Sequence, residues 1–256
     1  MSKYLKYAIT VVLTALAVTG FILFEIVHLR VFEDDVTNQM FGRACYYLAI
    51  AALFLWLPYI LGGSPYLSFK ALRWKNVVWC APCLLVALAN FPYSALISGQ
   101  LVIIQKELIG LYILYVIGIA LVEEMVFRGV LLFLLLDVFR NKKLPFFFPV
   151  LISSIIFALF HIANLFTGAS IGDVLLQVSY TFLIGGMFAV MAIKTKSIWM
   201  GVIIHAIFDF GGLLNTTIAE GSSWDVVFWI LTITCGILCA GHIVMSLINL
   251  ERKHVS

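Results

Sequence analysis

Apolar stretches long enough to cross a lipid bilayer recur along almost the whole chain. A membrane-spanning helix needs about 20 mainly apolar residues. Windows of that length predict about eight spans, near residues 7–28, 44–62, 76–98, 108–138, 146–166, 171–193, 197–215 and 224–249. Because lipid offers no hydrogen-bond partner to an open backbone, each span must be a helix. The sequence therefore predicts an all-α, polytopic membrane helical bundle, with no place for strands.

The composition leaves no room for a soluble domain. Hydrophobic residues make up 63% of the 256 residues and charged residues 11%, whereas soluble domains carry roughly 25% charge. Because the connectors between spans are short, residues 1–256 are predicted to form a single membrane domain. The first span follows Lys3 and Lys6, and no cleavage site is evident after it. We expect an uncleaved anchor and a multi-pass protein of the cell membrane.

The distribution of basic residues predicts the orientation of the bundle. Lys and Arg accumulate in cytoplasmic loops. With the amino terminus inside, twelve of the sixteen basic residues lie on the inner side and three on the outer side, and Arg128 lies within a span. Both termini are therefore predicted to be cytoplasmic. The net charge of +3 follows from this topology, and no basic patch indicates a nucleic-acid partner.

Three charged residues lie within six positions of one another in the middle of the predicted span 108–138, namely Glu123, Glu124 and Arg128. A charge at the centre of a membrane helix costs about 2.5 to 3.5 kcal/mol, so this cluster predicts a functional site. Residues four apart share one helix face, which pairs Glu124 with Arg128 and turns Glu123 elsewhere. Since a paired carboxylate is structurally fixed, we predict Glu123 as a general base and Glu124 as its support.

Two further spans carry histidines at helical spacing. Phe157 and His161 are four residues apart, and so are His205 and Asp209, so each pair shares one helix face. If the spans that carry these pairs pack against the span of Glu123, the ionisable side chains meet in one pocket inside the bilayer. Such a pocket would hold water and would be lined by Glu123, His161, His205 and Asp209.

These three patterns resemble the motifs of a known family of membrane enzymes. Glu123-Glu124-x-x-x-Arg128 is similar to the EExxxR motif of the CPBP (CAAX protease and bacteriocin-processing, Abi) intramembrane proteases. Phe157-x-x-x-His161 resembles their FxxxH motif, and His205-x-x-x-Asp209 their HxxxN/D motif. The motifs occur in the family's order within a core of about residues 108–215, and the eight-span architecture is also similar.

The resemblance implies an intramembrane endopeptidase that hydrolyses a peptide bond with an activated water molecule. Glu123 and His161 would activate the water, and His205 with Asp209 would stabilise the oxyanion. The supporting residues that the motifs imply are Glu124, Arg128 and Phe157. Many members have Asn in place of Asp209, and an ionised carboxylate cannot donate a hydrogen bond. Asp209 would therefore have to be protonated or, in the role we favour, orient His205.

A zinc site is an alternative to metal-free catalysis. Two imidazoles and a carboxylate form the ligand set of many hydrolytic zinc enzymes. If a metal is present, the ligands would be Glu123, His161 and His205. The H-E-x-x-H spacing of zinc proteases is missing from the chain. We therefore expect no cofactor, with zinc as the open alternative.

The function classes that remain differ in what the buried polar groups do. The expected partners are the lipid bilayer and a membrane-associated peptide of the prenylated-tail, pheromone or leader-peptide type. A proton-coupled transporter could use the same groups as a relay. A non-catalytic immunity or regulatory membrane protein is the third class. The sequence leaves open the substrate, the side to which the cavity opens and the oligomeric state.

Small residues within the spans are predicted to serve helix packing. Cys80 and Cys83 form a C-x-x-C pattern, but no βαβ context of a redox domain surrounds it. We therefore interpret the cysteines as small hydrophobic residues. Gly185, Gly186 and Gly201 are predicted to allow neighbouring helices to approach closely.

Overall fold

The computed structural model describes residues 31–60 and 73–255, together with Phe69 and scattered residues between 5 and 20. Most of the predicted first span, 7–28, lies outside the described residues. In chain order, helices α1 to α11 are Asp35–Ile60, Trp74–Trp79, Ala81–Ala89, Tyr93–Ser98, Ile109–Glu124, Phe133–Phe139, Phe147–Phe160, Ile171–Thr195, Trp199–Gly212, Leu214–Thr217 and Val226–Val255. Short 3₁₀ segments at Lys106–Leu108 and His161–Thr167 and a π-helix at Met125–Leu132 lie between them.

Two short strands correct the expectation that the chain has none. Strand β1, Leu101–Ile103, pairs antiparallel with β2, Ala219–Gly221, in the register Leu101 to Gly221. The strands lie in connectors, where two loops meet and satisfy each other's backbone groups. Gly221 has a φ of 121° and lies against the carbonyl group of Gln100, a position that only glycine can occupy without strain.

Long apolar helices support an all-α membrane fold. Within the described ranges, four segments are long and apolar enough to cross a bilayer: Ala81–Ser98, Phe147–Phe166, Ile171–Thr195 and Val226–His254. Helix α9 is apolar as well, but it has only 14 residues. The total of eight spans and the orientation of the termini stay predictions.

Helix α8 lies at the centre of the largest hydrophobic core. Successive residues from Phe188 to Met191 are fully buried, which requires neighbours on every side of the helix. Helices α7, α9 and α11 pack against α8, and α3 packs against α9 and α11. Cys83 and Cys239 meet at the contact of α3 with α11, with their sulfur atoms 3.8 Å apart, and both are buried. The cysteines there pack as predicted.

The predicted span 108–138 is one continuous helical rod with an irregular centre. Helix α5 ends at Glu124, the π-helix Met125–Leu132 follows without a break, and α6 completes the rod. A π-helix is rare and occurs mostly at functional sites. The residues from Met125 to Val130 are all buried, since α1, α7 and α8 enclose this segment. The irregular turn begins directly after Glu124, the residue next to the predicted general base Glu123.

The amino-terminal end of α7 is held by the opposite end of the chain. The backbone N–H groups of Phe146 and Phe147 donate to Glu251 Oε1 over 2.8 and 2.6 Å. The first N–H groups of a helix have no partner within it, so Glu251 caps α7, the helix that directly precedes His161. Replacing Glu251 with Ala should lower the free energy of unfolding by about 0.5–2 kcal/mol, measured by thermal unfolding in detergent. Glu251→Gln keeps an acceptor oxygen and should retain most of the stability; equal stability of all three proteins would contradict the cap.

Candidate active site

Glu124 and Arg128 form the predicted ion pair at the start of the π-helix. Arg128 Nη1 lies 3.0 Å from Glu124 Oε1, and both residues are fully buried. Arg128 Nη2 donates to the carbonyl oxygen of Gly185 over 3.2 Å, and the guanidinium group lies 4.2 Å from the ring centroid of Phe157. The pair is thus confirmed, and Arg128 also connects the π-helix to α7 and α8.

His205 is held by Glu124 rather than by a residue of its own helix. Its Nδ1 lies 3.1 Å from Glu124 Oε1, within hydrogen-bond distance. Its Nε2 lies 3.6 Å from both Glu123 Oε2 and Asp209 Oδ2, which is longer than a hydrogen bond. The imidazole stacks on Phe188 with ring centroids 4.9 Å apart. Sequence reasoning assigned Glu124 to Arg128 alone and missed this second contact, which no spacing along the chain could reveal.

His161 is oriented by the helix that it terminates. It follows directly after α7 and opens the 3₁₀ segment His161–Thr167. Its Nδ1 lies 2.9 Å from the carbonyl oxygen of Phe157. Because a carbonyl oxygen only accepts, Nδ1 carries the hydrogen and Nε2 is left with a lone pair. The Phe157 side chain packs edge-on against the imidazole, with centroids 5.0 Å apart. His161 can therefore accept a hydrogen bond from a water molecule.

One cavity brings the predicted catalytic side chains together. It measures about 160 Å³, enough for several water molecules. Its wall includes all four predicted catalytic residues, Glu123, His161, His205 and Asp209. Six further polar residues also line it: Tyr47, Tyr115, Asn164, Gln177, Tyr180 and Thr181. Sequence reasoning missed these, although the spacing of Gln177, Tyr180 and Thr181 marks one polar face of α8.

The end of α9 that carries Asp209 is held by two other helices. Asn90, directly after α3, donates its side-chain N–H to the carbonyl oxygen of Phe208 over 2.8 Å. Tyr112 of α5 is fully buried, and its hydroxyl donates to the carbonyl oxygen of Phe210 over 2.7 Å. Carbonyl groups in the last turn of a helix lack partners within it. These bonds satisfy them and hold Asp209 at the cavity.

Glycines create the close helix contacts around the ion pair. A Cβ atom added to Gly201 would lie 2.8 Å from Glu124 Oε2, and one added to Gly185 would lie 3.2 Å from the Phe157 ring. The prediction that these two glycines permit close approach is confirmed. At Gly186 the nearest atom to an added Cβ is Ser154 Oγ at 3.6 Å, an ordinary contact.

Replacing Gly201 with Ala should therefore damage both stability and activity. Glu124 cannot move away from an added methyl group without losing Arg128 or His205. Overpacking of this kind costs about 1–3 kcal/mol, which thermal unfolding of the purified protein would report. Gly186→Ala is the matched control, since its added methyl group would make only an ordinary van der Waals contact. Equal unfolding temperatures for the two variants would show that the α5–α9 contact is looser than the distances indicate.

The described part of the chain contains no metal-binding cluster. No three His, Cys, Asp or Glu side chains within it are arranged to hold a metal ion. The ligand set of the zinc alternative, Glu123, His161 and His205, is therefore not formed in this arrangement.

Comparison with known proteins identifies the segment that carries the site. Residues 105–211 match the family model described as Rce1-like, type II CAAX prenyl endopeptidase. The match covers less than half of the 256 residues, but it contains all three motifs and confirms the resemblance drawn from them. No curated protein and no solved structure matches the chain.

Proposed function

We propose that this chain, whose residues 105–211 match the Rce1-like model of type II CAAX prenyl endopeptidases, is an intramembrane endopeptidase. Its substrate would be a membrane-associated peptide of the prenylated-tail, pheromone or leader-peptide type. The observation that carries the proposal is the single cavity of about 160 Å³ lined by Glu123, His161, His205 and Asp209. A buried site with a base, an imidazole acceptor and an imidazole donor has the groups that peptide hydrolysis needs.

Glu123 is the general base of the proposed reaction. Its carboxylate lines the cavity and makes no closer contact to His205 than 3.6 Å, so it is available to a water molecule. Glu123 takes a proton from the water as the water oxygen bonds to the peptide carbonyl carbon. The lone pair on His161 Nε2 accepts a hydrogen bond from the second O–H group of the water molecule and so orients it. Glu123 then passes its proton to the leaving nitrogen as the carbon–nitrogen bond breaks.

His205 is proposed to stabilise the charge that develops on the carbonyl oxygen. Because Nδ1 donates to Glu124, Nε2 carries a hydrogen only when the ring is an imidazolium, the form that the surrounding carboxylates of Glu123, Glu124 and Asp209 favour. In that form Nε2 can donate one hydrogen bond to the oxyanion. The contacts from Glu124 to Nδ1 and from Arg128 to Glu124 hold the ring in this direction. Asp209 Oδ2 lies 3.6 Å from Nε2, too far for a hydrogen bond, so Asp209 acts on the His205 ring through its charge.

Incubating the purified protein with membrane-anchored peptides tests the proposal. The substrates are a prenylated peptide, the same peptide without the prenyl group, and an apolar leader peptide, each in detergent and in liposomes. Mass spectrometry should find defined cleavage products with the wild type and none with Glu123→Gln. A folded wild-type protein that cleaves none of the peptides would contradict the proposal.

Repeating the same assay with a metal chelator distinguishes metal-free hydrolysis from zinc-dependent hydrolysis. We expect unchanged cleavage after dialysis against a chelator, since the described residues form no ligand cluster. Loss of cleavage that added zinc restores would support the zinc alternative instead. Either result leaves the assignment of Glu123 as the base open to test by its own substitution.

A further inference from the structure

The four predicted catalytic residues offer the cavity more hydrogen-bond acceptors than hydrogen-bond donors. Glu123 and Asp209 are acceptors when ionised, and His161 Nε2 carries a lone pair because Nδ1 donates to Phe157. Among these residues, His205 Nε2 alone offers a donor to an oxyanion. Peptidases with a Ser-His-Asp triad use two donors for this purpose, and the loss of one donor costs about 10²–10³ in kcat. A second donor near His205 would supply the same stabilisation in this cavity.

Tyr180 places a hydroxyl group in the wall of the same cavity. It lies on α8, packs against Phe208 with ring centroids 6.2 Å apart, and is 37% exposed. Phe208 directly precedes Asp209 on α9, and Tyr180 lines the cavity together with Asp209 and Glu123. The other hydroxyl on this face of α8 is committed, since Thr181 Oγ1 donates to the carbonyl oxygen of Gln177 over 2.7 Å.

Two amide side chains line the cavity beside Tyr180. Asn164 Nδ2 donates to Gln177 Oε1 over 2.7 Å, and both residues belong to the same cavity wall as Tyr180. Because the Gln177 oxygen accepts from Asn164, the NH₂ group is the part of Gln177 that stays available as a donor. A phenolic oxygen that accepts a hydrogen bond can still donate its own O–H into the cavity.

We propose that the Tyr180 hydroxyl is a catalytic residue of this site, the second donor to the oxyanion beside His205. This inference rests on the proposed peptidase function. As the water oxygen bonds to the carbonyl carbon, the electron pair of the C=O double bond moves onto the carbonyl oxygen. His205 and Tyr180 both donate to that oxygen, and the pair returns as the carbon–nitrogen bond breaks. Tyr180 keeps its proton throughout.

Tyr180→Phe tests the proposal by removing only the hydroxyl group. We expect kcat to fall about 10²–10³-fold with KM nearly unchanged, because the bond strengthens only in the transition state. The unfolding temperature should stay at the wild-type value. Tyr93→Phe is the matched control, since Tyr93 is exposed and is not part of the cavity wall; it should leave kcat unchanged.

A double-mutant cycle with Asp209 identifies the role of the hydroxyl group. Asp209→Asn places an amide donor next to His205, so Tyr180→Phe should cause a smaller loss of kcat in that background than in the wild type. An equal loss in both backgrounds, an increase in KM alone, or an unchanged kcat would overturn the assignment of Tyr180. In each of these cases the wild type still cleaves and the peptidase proposal stands. Absence of cleavage by the wild type would instead contradict the peptidase proposal itself.

Discussion

Replacing Glu123 with Gln is expected to abolish peptide hydrolysis while the protein stays folded and inserted. Glutamine has nearly the same shape but cannot take a proton from water. General-base catalysis contributes about 10²–10⁴-fold, so turnover should fall by at least that range. The stability loss should be small, because the Glu123 carboxylate approaches His205 no closer than 3.6 Å, which is longer than a hydrogen bond. Product formation per folded molecule and the unfolding temperature are the two measurements.

Neighbouring and distant glutamates provide the controls for that experiment. Glu124→Gln should lower both stability and turnover, because Glu124 contacts Arg128 and His205. Glu33→Gln changes an exposed residue and should alter neither. His161→Ala should resemble Glu123→Gln in turnover, since it removes the second contact to water. Normal turnover by Glu123→Gln would refute its assignment as the base.

Replacing Arg128 with Met is expected to destabilise the protein by about 3–5 kcal/mol, the usual effect of removing one partner of a buried ion pair. Glu124 would be left charged in a fully buried position, and the carbonyl oxygen of Gly185 would lose its donor. The guanidinium contact with the Phe157 ring would also be lost. Thermal unfolding and the yield of folded protein in detergent should both report the change.

A second substitution distinguishes the effect of the unpaired Glu124 charge from the effect of losing the Arg128 side chain itself. Adding Glu124→Gln to Arg128→Met removes the unpaired carboxylate, so part of the stability should return. Turnover should not return, because His205 then lacks the carboxylate that its Nδ1 contacts. Wild-type stability of Arg128→Met alone would show that the Glu124–Arg128 pair does not stabilise the fold.

Local spacing predicted the contacts that lie within one helix. Residues four apart face the same direction, so Glu124 with Arg128 and Phe157 with His161 were expected to be neighbours, and both contacts are present. The scarcity of charges in membrane helices marked the same segment as functional. The segment matched by the family model, residues 105–211, contains these pairs.

Contacts between helices required the tertiary structure. Glu124 and His205 are 81 residues apart, and their hydrogen bond follows from the close contact of α5 with α9 at Gly201. The β1–β2 pair likewise joins connectors far apart in the chain, which the rule that membrane spans are helical does not cover. Tyr180 and Gln177 were overlooked because a polar face on one helix does not reveal which cavity it lines.

Composition and the helical repeat, which are properties of short stretches, were enough to predict a membrane helical bundle, the charged pair and the types of side chain available for chemistry. That carboxylates, imidazoles and a tyrosine side chain line one cavity becomes visible only in the folded chain. In a membrane bundle, surfaces that face lipid and surfaces that face another helix are equally apolar. Their pairing is set by the fit of small residues and buried hydrogen bonds between helices.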